Sequence, residues 1–315
     1  MSTHKALFNY KPNKTVSGIF LMLMHAFSMS VLYVISKNLT QSLHPFQVAF
    51  LYKFAILCSI IPWVFYGDYK KTLRTKKMGM HVARGTFSLL GTLCFFVAVQ
   101  NLGVLDASAI SYLDHILVML IGFFYFKEKI TDAKIAMIVL CGVGAMLIIK
   151  PGFVTFNKYY IYLFMALVFW ALNCTVIKIL GATERSKAQI FYVMMFSSLF
   201  SLPLAMYEWK PVEVWHFKYI ALIAICYLVH TITFFKAFKY ADISTVMPFD
   251  YTRLIFTGIL GFLILGEVPD EFSLAGYVLI FLGGIYAIRY ETKKRKKERL
   301  SEAKKLELES EYEQV

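Results

Sequence analysis

Phe95-Phe96-Val97-Ala98 recurs 139 residues later in the chain as Phe234-Phe235-Lys236-Ala237. The same offset relates further residues of the two halves, namely Tyr112 and Tyr251, Gly122 and Gly261, Phe123 and Phe262, Glu128 and Glu267, and Gly144 and Gly283. Nearer the amino terminus an offset of 141 relates Lys37, Phe50, Pro62 and Tyr66 to Lys178, Phe191, Pro203 and Tyr207. The second half of the chain is therefore a copy of the first with a slightly shorter connection.

Each copy contains an odd number of membrane-length apolar segments. The 315 residues are 58% hydrophobic with a mean hydropathy of +0.60, which is too apolar for an ordinary soluble domain. Helices of about 20 apolar residues cross the hydrocarbon core of a bilayer. The sequence predicts ten such spans, near residues 17–36, 46–66, 83–100, 107–126, 133–150, 159–178, 188–206, 217–236, 243–265 and 273–290. Two copies of five spans enter the membrane from opposite sides, so we expect an all-α membrane protein with two inverted five-helix repeats.

The basic residues alternate between the two sides of the membrane. One side carries 26 of the 33 Lys and Arg residues, and the other carries only Lys37, Lys150, Lys158, Lys210 and Lys218. Because basic residues are retained on the cytoplasmic side, both termini are predicted to be cytoplasmic, in an integral protein of the inner cell membrane. This distribution also explains the net charge of +13, so we do not expect nucleic acid as a partner.

The spans and charges divide the chain into four predicted parts. Residues 1–16 are expected to form a cytoplasmic amino-terminal segment, residues 17–150 the first repeat, residues 159–290 the second repeat, and residues 291–315 a charged cytoplasmic tail.

Ionisable residues inside the spans are the first candidates for a functional site, because a charge in the membrane is costly. Asp114 and Arg253 lie at equivalent positions of the two copies and carry opposite charges. Asp250 precedes Arg253 by three residues, so a helix places both on one face. Two interpretations stay open. Either Asp114 or Asp250 neutralises Arg253 and joins the halves, or the charges bind a zwitterionic solute between the repeats near the midplane.

Five further residues complete the predicted substrate-binding set. Tyr112 and Tyr251 stand two residues before Asp114 and Arg253, where their hydroxyls and rings suit contact with a solute. Lys53, Trp170 and Asn173 are weaker candidates with structural alternatives. Lys53 lies near the end of a span and can extend towards the lipid headgroups. Trp170 and Asn173 suit ordinary contacts between membrane helices.

At these residues the chain resembles a known family. Pro248-Phe249-Asp250-Tyr251-Thr252-Arg253-Leu254, followed by Gly266-Glu267 and Pro269-Asp270, is similar to the last two spans of EamA-type permeases of the drug/metabolite transporter superfamily. The first copy agrees at His81, Arg84-Gly85, Asp106-Ala107-Ser108 and Glu128. The resemblance covers about residues 15–290 and implies ten helices, a central cavity and alternating access. It is strongest to carriers that take up S-adenosylmethionine. Asp114 departs from the family, whose fourth span usually has a proline near its middle.

The predicted function is that of a secondary transporter that moves a small organic metabolite, S-adenosylmethionine or another amino-acid-like solute, by alternating access within membrane lipid. Two other classes remain: a polytopic enzyme acting on a lipid-linked substrate, and a scaffold or sensor that transports nothing. The chain contains no H-E-x-x-H, no G-x-S-x-G and no P-loop, and its five cysteines have no metal-ligand spacing. We therefore expect no enzyme activity, catalytic residue, cofactor or metal, and the oligomeric state stays open.

Overall fold

The computed structural model describes residues 12–66, 69–127, 131–150, 157–181, 183–240 and 246–312. Its regular elements are all helical within these ranges. Eight spans are single or paired helices at Pro12–Ser42, Pro45–Phe65, Met78–Asn101, Val104–Ser111 with Asp114–Phe126, Asp132–Ile149, Tyr159–Gly181, Ser186–Tyr207 and Val214–Tyr240. The ninth span combines a 3₁₀ helix, Met247–Tyr251, an α-helix, Thr252–Leu260, and a π-helix, Gly261–Leu265. The tenth is Glu271–Tyr312, and a short helix, Tyr69–Leu73, precedes the third span.

The ten predicted spans are confirmed as an all-helical arrangement. Eight contain a stretch long and apolar enough to cross a membrane, while the fifth is shorter and the ninth is divided. The tenth helix continues through the charged tail to Tyr312, since Lys and Glu are good helix formers. Three predicted features lie outside the described residues: Glu128, the first residues of the ninth span, and the amino-terminal segment up to residue 11.

The packing of the spans follows the internal repeat. The first span packs against the eighth and the third against the sixth, and these two pairs exchange when the copies are exchanged. The second span packs against the seventh and the fifth against the tenth, so each of these pairs maps onto itself. Gly144 and Gly276 permit the close crossing of the fifth and tenth spans, because a Cβ on Gly144 would lie 2.7 Å from the Gly276 carbonyl oxygen. The copies therefore interlock as an inverted pair.

Both copies are irregular at the same two positions. The two helices of the fourth span are separated at Tyr112 and Leu113, where backbone hydrogen bonds reach three residues back, and the 3₁₀ helix of the ninth span ends at Tyr251. The predicted fourth span is thus built from two α-helices joined by this turn. The same two spans end in left-handed residues at equivalent positions, Lys127 with φ 55° and Gly266 with φ 68°. Irregular backbone at membrane depth requires cover from protein, so both turns belong to the interface between the copies.

Two ends of the helix bundle are distinguished below. Among the described residues, the first-loop end carries residues 43–44, 102–103, 150, 157–158, 208–213 and 266–270, and the second-loop end carries residues 66, 69–77, 127, 131, 183–185 and 246.

Candidate functional site

Arg253 lies buried at the start of the α-helix of the ninth span, with 7% of its surface exposed. Its Nε donates a hydrogen bond to the Tyr112 hydroxyl at 3.2 Å. The guanidinium carbon lies 4.2 Å from the ring centroid of Tyr112 and 5.5 Å from that of Tyr33. Ring faces attract cations, so the fourth and first spans both stabilise this charge. Its terminal amino groups form no hydrogen bond within the part of the chain that the structure describes, which leaves them available to a ligand.

Tyr112 and Tyr251 meet at the interface between the copies. Their rings stack with centroids 4.5 Å apart and an angle of 14°. The Tyr112 hydroxyl donates to the Asp250 carbonyl oxygen at 2.8 Å. Tyr251 fits against the tenth span because Gly284 has no side chain: a Cβ there would lie 1.7 Å from the Tyr251 hydroxyl oxygen. The structure thus brings both predicted tyrosines to Arg253.

The two acids lie near Arg253 but do not pair with it. Asp114 and Asp250 are within electrostatic range of the guanidinium, yet neither reaches ion-pair distance in the structure. Asp114 Oδ1 is 2.6 Å from Nδ1 of His115, and Asp250 Oδ1 is 3.2 Å from Nε2 of His25. The interpretation that one carboxylate neutralises Arg253 by direct contact therefore does not describe this geometry. Arg253 and the two carboxylates therefore remain separate from one another in this geometry.

The three weaker candidates are placed elsewhere. Lys53 is 1% exposed and donates to Ser88 Oγ at 3.2 Å, so it is buried instead of extending towards headgroups. The Trp170 indole lies against Gly91, where a Cβ would be 2.5 Å from Cδ1 of the ring. Asn173 has a buried side-chain oxygen that accepts no hydrogen bond from a described residue. In the described ranges none of the three forms a hydrogen bond or ion pair with Arg253.

A network of polar residues surrounds Arg253 in addition to the predicted substrate-binding set. Ser30 Oγ donates to the Arg253 carbonyl oxygen at 3.0 Å and accepts from Thr257 Oγ1 at 3.0 Å. His25, on the same first span, contacts both Asp250 and the His230 carbonyl oxygen. The sequence shows these polar residues inside apolar spans, but it does not show that they turn towards one another.

Contacts between the copies tie the first-loop end together. Lys37 forms an ion pair with Glu267 and donates to the Leu102 carbonyl oxygen, and Glu267 accepts from the Val104 backbone N–H at 2.7 Å. Lys150 forms an ion pair with Asp270, and the hydrogen bond from Lys150 lowers the pKa of that carboxyl. A cavity of about 250 Å³ opens at this end, lined by Asp106, Ile148, Ile149, Lys150, Asn157, Tyr160, Asp270 and Ser273.

Hydrogen bonds between the copies also tie the second-loop end. The Tyr192 hydroxyl donates to the Leu73 carbonyl oxygen at 2.7 Å, and Thr75 Oγ1 donates to Glu184 Oε1 at 2.8 Å. Arg84 donates to the Gln189 carbonyl oxygen at 2.9 Å. Both ends are therefore held across the interface, with the Arg253 cluster between them. Among the described residues no group of three His, Cys, Asp or Glu side chains is arranged to hold a metal ion.

Comparison with known proteins gives matches over nearly the whole chain. The profile of the EamA-like transporter family matches residues 16–150 and 157–289. The S-adenosylmethionine uptake transporter of Rickettsia felis is 27% identical over 280 residues, which cover 88% of this chain and 94% of that protein. The pseudopaline exporter CntI of Pseudomonas aeruginosa is 25% identical, covering 85% and 95%, and the riboflavin transporter of Vibrio cholerae is 25% identical, covering 81% and 87%. A solved crystal structure shares the fold with a TM-score of 0.57 at 17% identity, covering 88% of this chain and 96% of its own.

Proposed function

The chain belongs to the EamA-like transporter family, and from this we propose that it is a secondary transporter for an amino-acid-like organic solute, S-adenosylmethionine first among those to test. The relatives named above are transporters, which supports transport and argues against an enzyme acting on lipid-linked substrates. Their printed names differ in solute, so the choice of solute depends on the site.

The separation of Arg253 from both nearby carboxylates carries the proposal. The guanidinium can bind a solute carboxylate through its free amino groups. Asp114 and Asp250 provide negative charge for a cationic part of the same solute. The stacked rings of Tyr112 and Tyr251 offer an aromatic surface beside these charges. S-Adenosylmethionine combines a carboxylate, positive charge and an adenine ring, so it matches all three features.

In alternating access, the contacts between the copies would open at one end of the bundle and close at the other. In this arrangement the copies rock about the central cluster, so that the first-loop contacts of Lys37 with Glu267 open while the second-loop contacts close, and the reverse. The inverted packing of the spans supports such a motion, because the two ends are built from equivalent elements.

We further propose that this integral membrane protein lies in the inner membrane with both termini in the cytoplasm. The distribution of Lys and Arg supports this orientation, which makes the second-loop end cytoplasmic. Oligomeric state does not enter the proposal.

Exchange across a liposome membrane tests transport. Purified protein is reconstituted with unlabelled S-adenosylmethionine inside, and entry of labelled S-adenosylmethionine is followed, with methionine, adenosine and riboflavin as competitors. We expect labelled solute to enter protein-containing vesicles and not vesicles with Arg253→Ala. Chemical change of a lipid-linked substrate without movement of any solute would instead support the enzyme alternative.

A further inference from the structure

A second cluster of ionisable groups adjoins Arg253 on its first-span side. His25 of the first span contacts both His230 of the eighth and Asp250 of the ninth, with its Nδ1 3.4 Å from Nδ1 of His230. The His25 and Asp250 side chains are only 9% and 8% exposed. Substrate recognition by Arg253, Asp114 and the tyrosines does not use His25 or His230. A buried imidazole and a partly buried one thus lie beside a carboxylate without a role in substrate recognition.

The acceptors around His25 determine how many protons the cluster holds. Nδ1 of His25 is 3.0 Å from the carbonyl oxygen of His230, and a carbonyl can only accept, so Nδ1 must carry a proton. Nε2 of the same ring is 3.2 Å from Asp250 Oδ1, and a nitrogen lone pair facing a carboxylate is repulsive. Asp250 Oδ1 is buried and has no hydrogen-bond partner among the described residues, so this close approach is favourable only as an ion pair with a ring that carries a proton on Nε2 as well. Both contacts form together only when the pair holds one proton more than a neutral imidazole and an ionised carboxylate.

Loss of that proton weakens a link between the copies. A neutral His25 has one N–H, so it can bond either the eighth span through the His230 carbonyl or the ninth span through Asp250, but not both. The first span belongs to one copy and the eighth and ninth to the other. Protonation thus changes the number of hydrogen bonds across the interface that alternating access must rearrange.

The cluster is also connected to the solute site. The Asp250 carbonyl oxygen accepts from the Tyr112 hydroxyl, and the same hydroxyl accepts from Arg253 Nε. A shift of Asp250 therefore moves the hydrogen-bond partner of Tyr112 and, through it, the guanidinium. Solute bound at Arg253 and a proton held at Asp250 would influence each other's affinity through this connection.

Within the described residues, the other charged groups around the cluster have contacts of their own. From the ninth span Arg253 faces Asp250, and from the fourth His115 does so at longer range while contacting Asp114. On the second and third spans, Lys53 donates to Ser88 and Arg84 to Gln189, away from His25. Tyr33, on the first span itself, faces Arg253.

We infer that His25 and Asp250 form a proton-binding site that couples proton movement to movement of the solute. The inference rests on the proposed transport function and adds its driving ion. A proton taken from water on one side binds between Nε2 of His25 and Oδ1 of Asp250, and is released to water on the other side after the interface rearranges. No other reactant is consumed.

Transport measured in two modes tests the coupling. Solute exchange needs no driving force, whereas accumulation against a gradient requires the coupled ion. We expect the wild type to accumulate solute when a pH gradient is imposed in one of its two directions and not in the other. His25→Gln should lower the ratio of accumulation to exchange at least about tenfold. His44→Gln, a half-buried histidine at the first-loop end, is the matched control and should keep the wild-type ratio. Exchange by the wild type that no pH gradient can drive uphill would overturn the inference while leaving transport standing.

A readout without solute separates failure of the inference from failure of the proposed function. Nitrogen NMR of histidine-labelled protein in lipid nanodiscs distinguishes neutral from doubly protonated imidazoles. We expect a doubly protonated signal that disappears in both His25→Gln and Asp250→Asn and persists in His44→Gln. Presence of this signal in a protein that moves no solute would support the proton site but refute the transport proposal. Its absence at every pH from about 5 to about 9, the range in which histidine titrates, would refute the proton site.

Discussion

The ring of Tyr112 stacks on the ring of Tyr251 at a centroid distance of 4.5 Å, and the two residues hold the same position in the two copies of the repeat. The stack lies where the fourth and ninth spans both leave regular α-helical geometry. The Tyr112 hydroxyl also joins Arg253 Nε to the Asp250 carbonyl oxygen. The pseudo-symmetric pair therefore links the irregular backbone of both copies to the charges of the candidate site.

Gly284→Ala should disturb this stack from the tenth span. The added Cβ would lie 1.7 Å from the Tyr251 hydroxyl oxygen and 1.9 Å from Cζ, so the ring must move. Overpacking of this kind costs about 1–3 kcal/mol, and we expect a lower melting temperature together with weaker solute binding. Thermal unfolding and equilibrium binding of labelled solute in detergent measure the two effects.

Gly142→Ala is the matched control for that change. Gly142, on the fifth span, has no atom within 4 Å of an added Cβ, so the substitution should leave binding unchanged. In a helix interior alanine is favoured over glycine by up to about 1 kcal/mol, so stability should be equal or slightly higher. Wild-type binding by Gly284→Ala would show that the tyrosine stack is not part of the solute site.

Arg253→Lys should impair transport even though it keeps the positive charge. The planar guanidinium of Arg253 donates to the Tyr112 hydroxyl through Nε, and its terminal amino groups can bond a ligand at the same time. A lysine ammonium cannot reproduce this geometry. We expect the affinity for a carboxylate-bearing solute to fall at least about tenfold, which corresponds to 1.4 kcal/mol. Exchange kinetics in liposomes give the value, and Lys293→Ala, in the tail helix beyond the apolar part of the tenth span, should behave as wild type. An Arg253→Lys protein with unchanged affinity would mean that any cation suffices.

Asp114→Asn tests which part of the solute the fourth-span carboxylate contacts. Asp114 Oδ1 lies 2.6 Å from His115 Nδ1, and the Asp114 side chain is 26% exposed. The carboxylate can therefore approach a ligand. Competition by S-adenosylmethionine and by S-adenosylhomocysteine, which lacks the sulfonium charge, separates charge recognition from shape recognition. We expect the preference for the charged compound to fall in Asp114→Asn. An unchanged ratio of the two inhibition constants would place the cationic group elsewhere, for example at Asp250.

The sequence predicts the ten-span repeat because hydropathy and internal offset depend only on local residue types. Contacts between residues far apart in the chain are harder to predict from these local patterns. The opposite charges of Asp114 and Arg253 leave open whether they pair directly or bind a solute. In the structure Asp114 contacts His115, and Arg253 bonds the tyrosine at the turn in the fourth span. An apolar run does not reveal where i→i−4 bonding gives way to i→i−3 bonding, since a single turn of either helix can be built from the same apolar residue types. The sequence could thus name candidate residues for the site but could not assign their contacts.

The tie at the first-loop end yields a prediction for conformational change. Lys37 and Glu267 have side chains 11% and 21% exposed, so breaking the pair on one side leaves a partly buried charge without its partner. We expect Lys37→Met and Glu267→Gln each to lower the free energy of unfolding by about 1–3 kcal/mol, with the double variant losing less than the sum. Chemical or thermal unfolding in detergent measures this cycle.

The same variants should also open the first-loop end, because Lys37 and Glu267 tie the first span to the ninth there. Ser273, 2% exposed beside the cavity at this end, reports opening when replaced by cysteine in a chain without its five native cysteines. Lys37→Met should speed modification of Ser273→Cys by a membrane-impermeant thiol reagent several-fold, since the population with this end open rises as its ties are lost. Lys158→Met removes a lysine at the same end whose ammonium lies over its neighbour Tyr159, and it should leave the rate unchanged. Equal rates in Lys37→Met and Lys158→Met would show that the Lys37 and Glu267 contact does not hold this end closed.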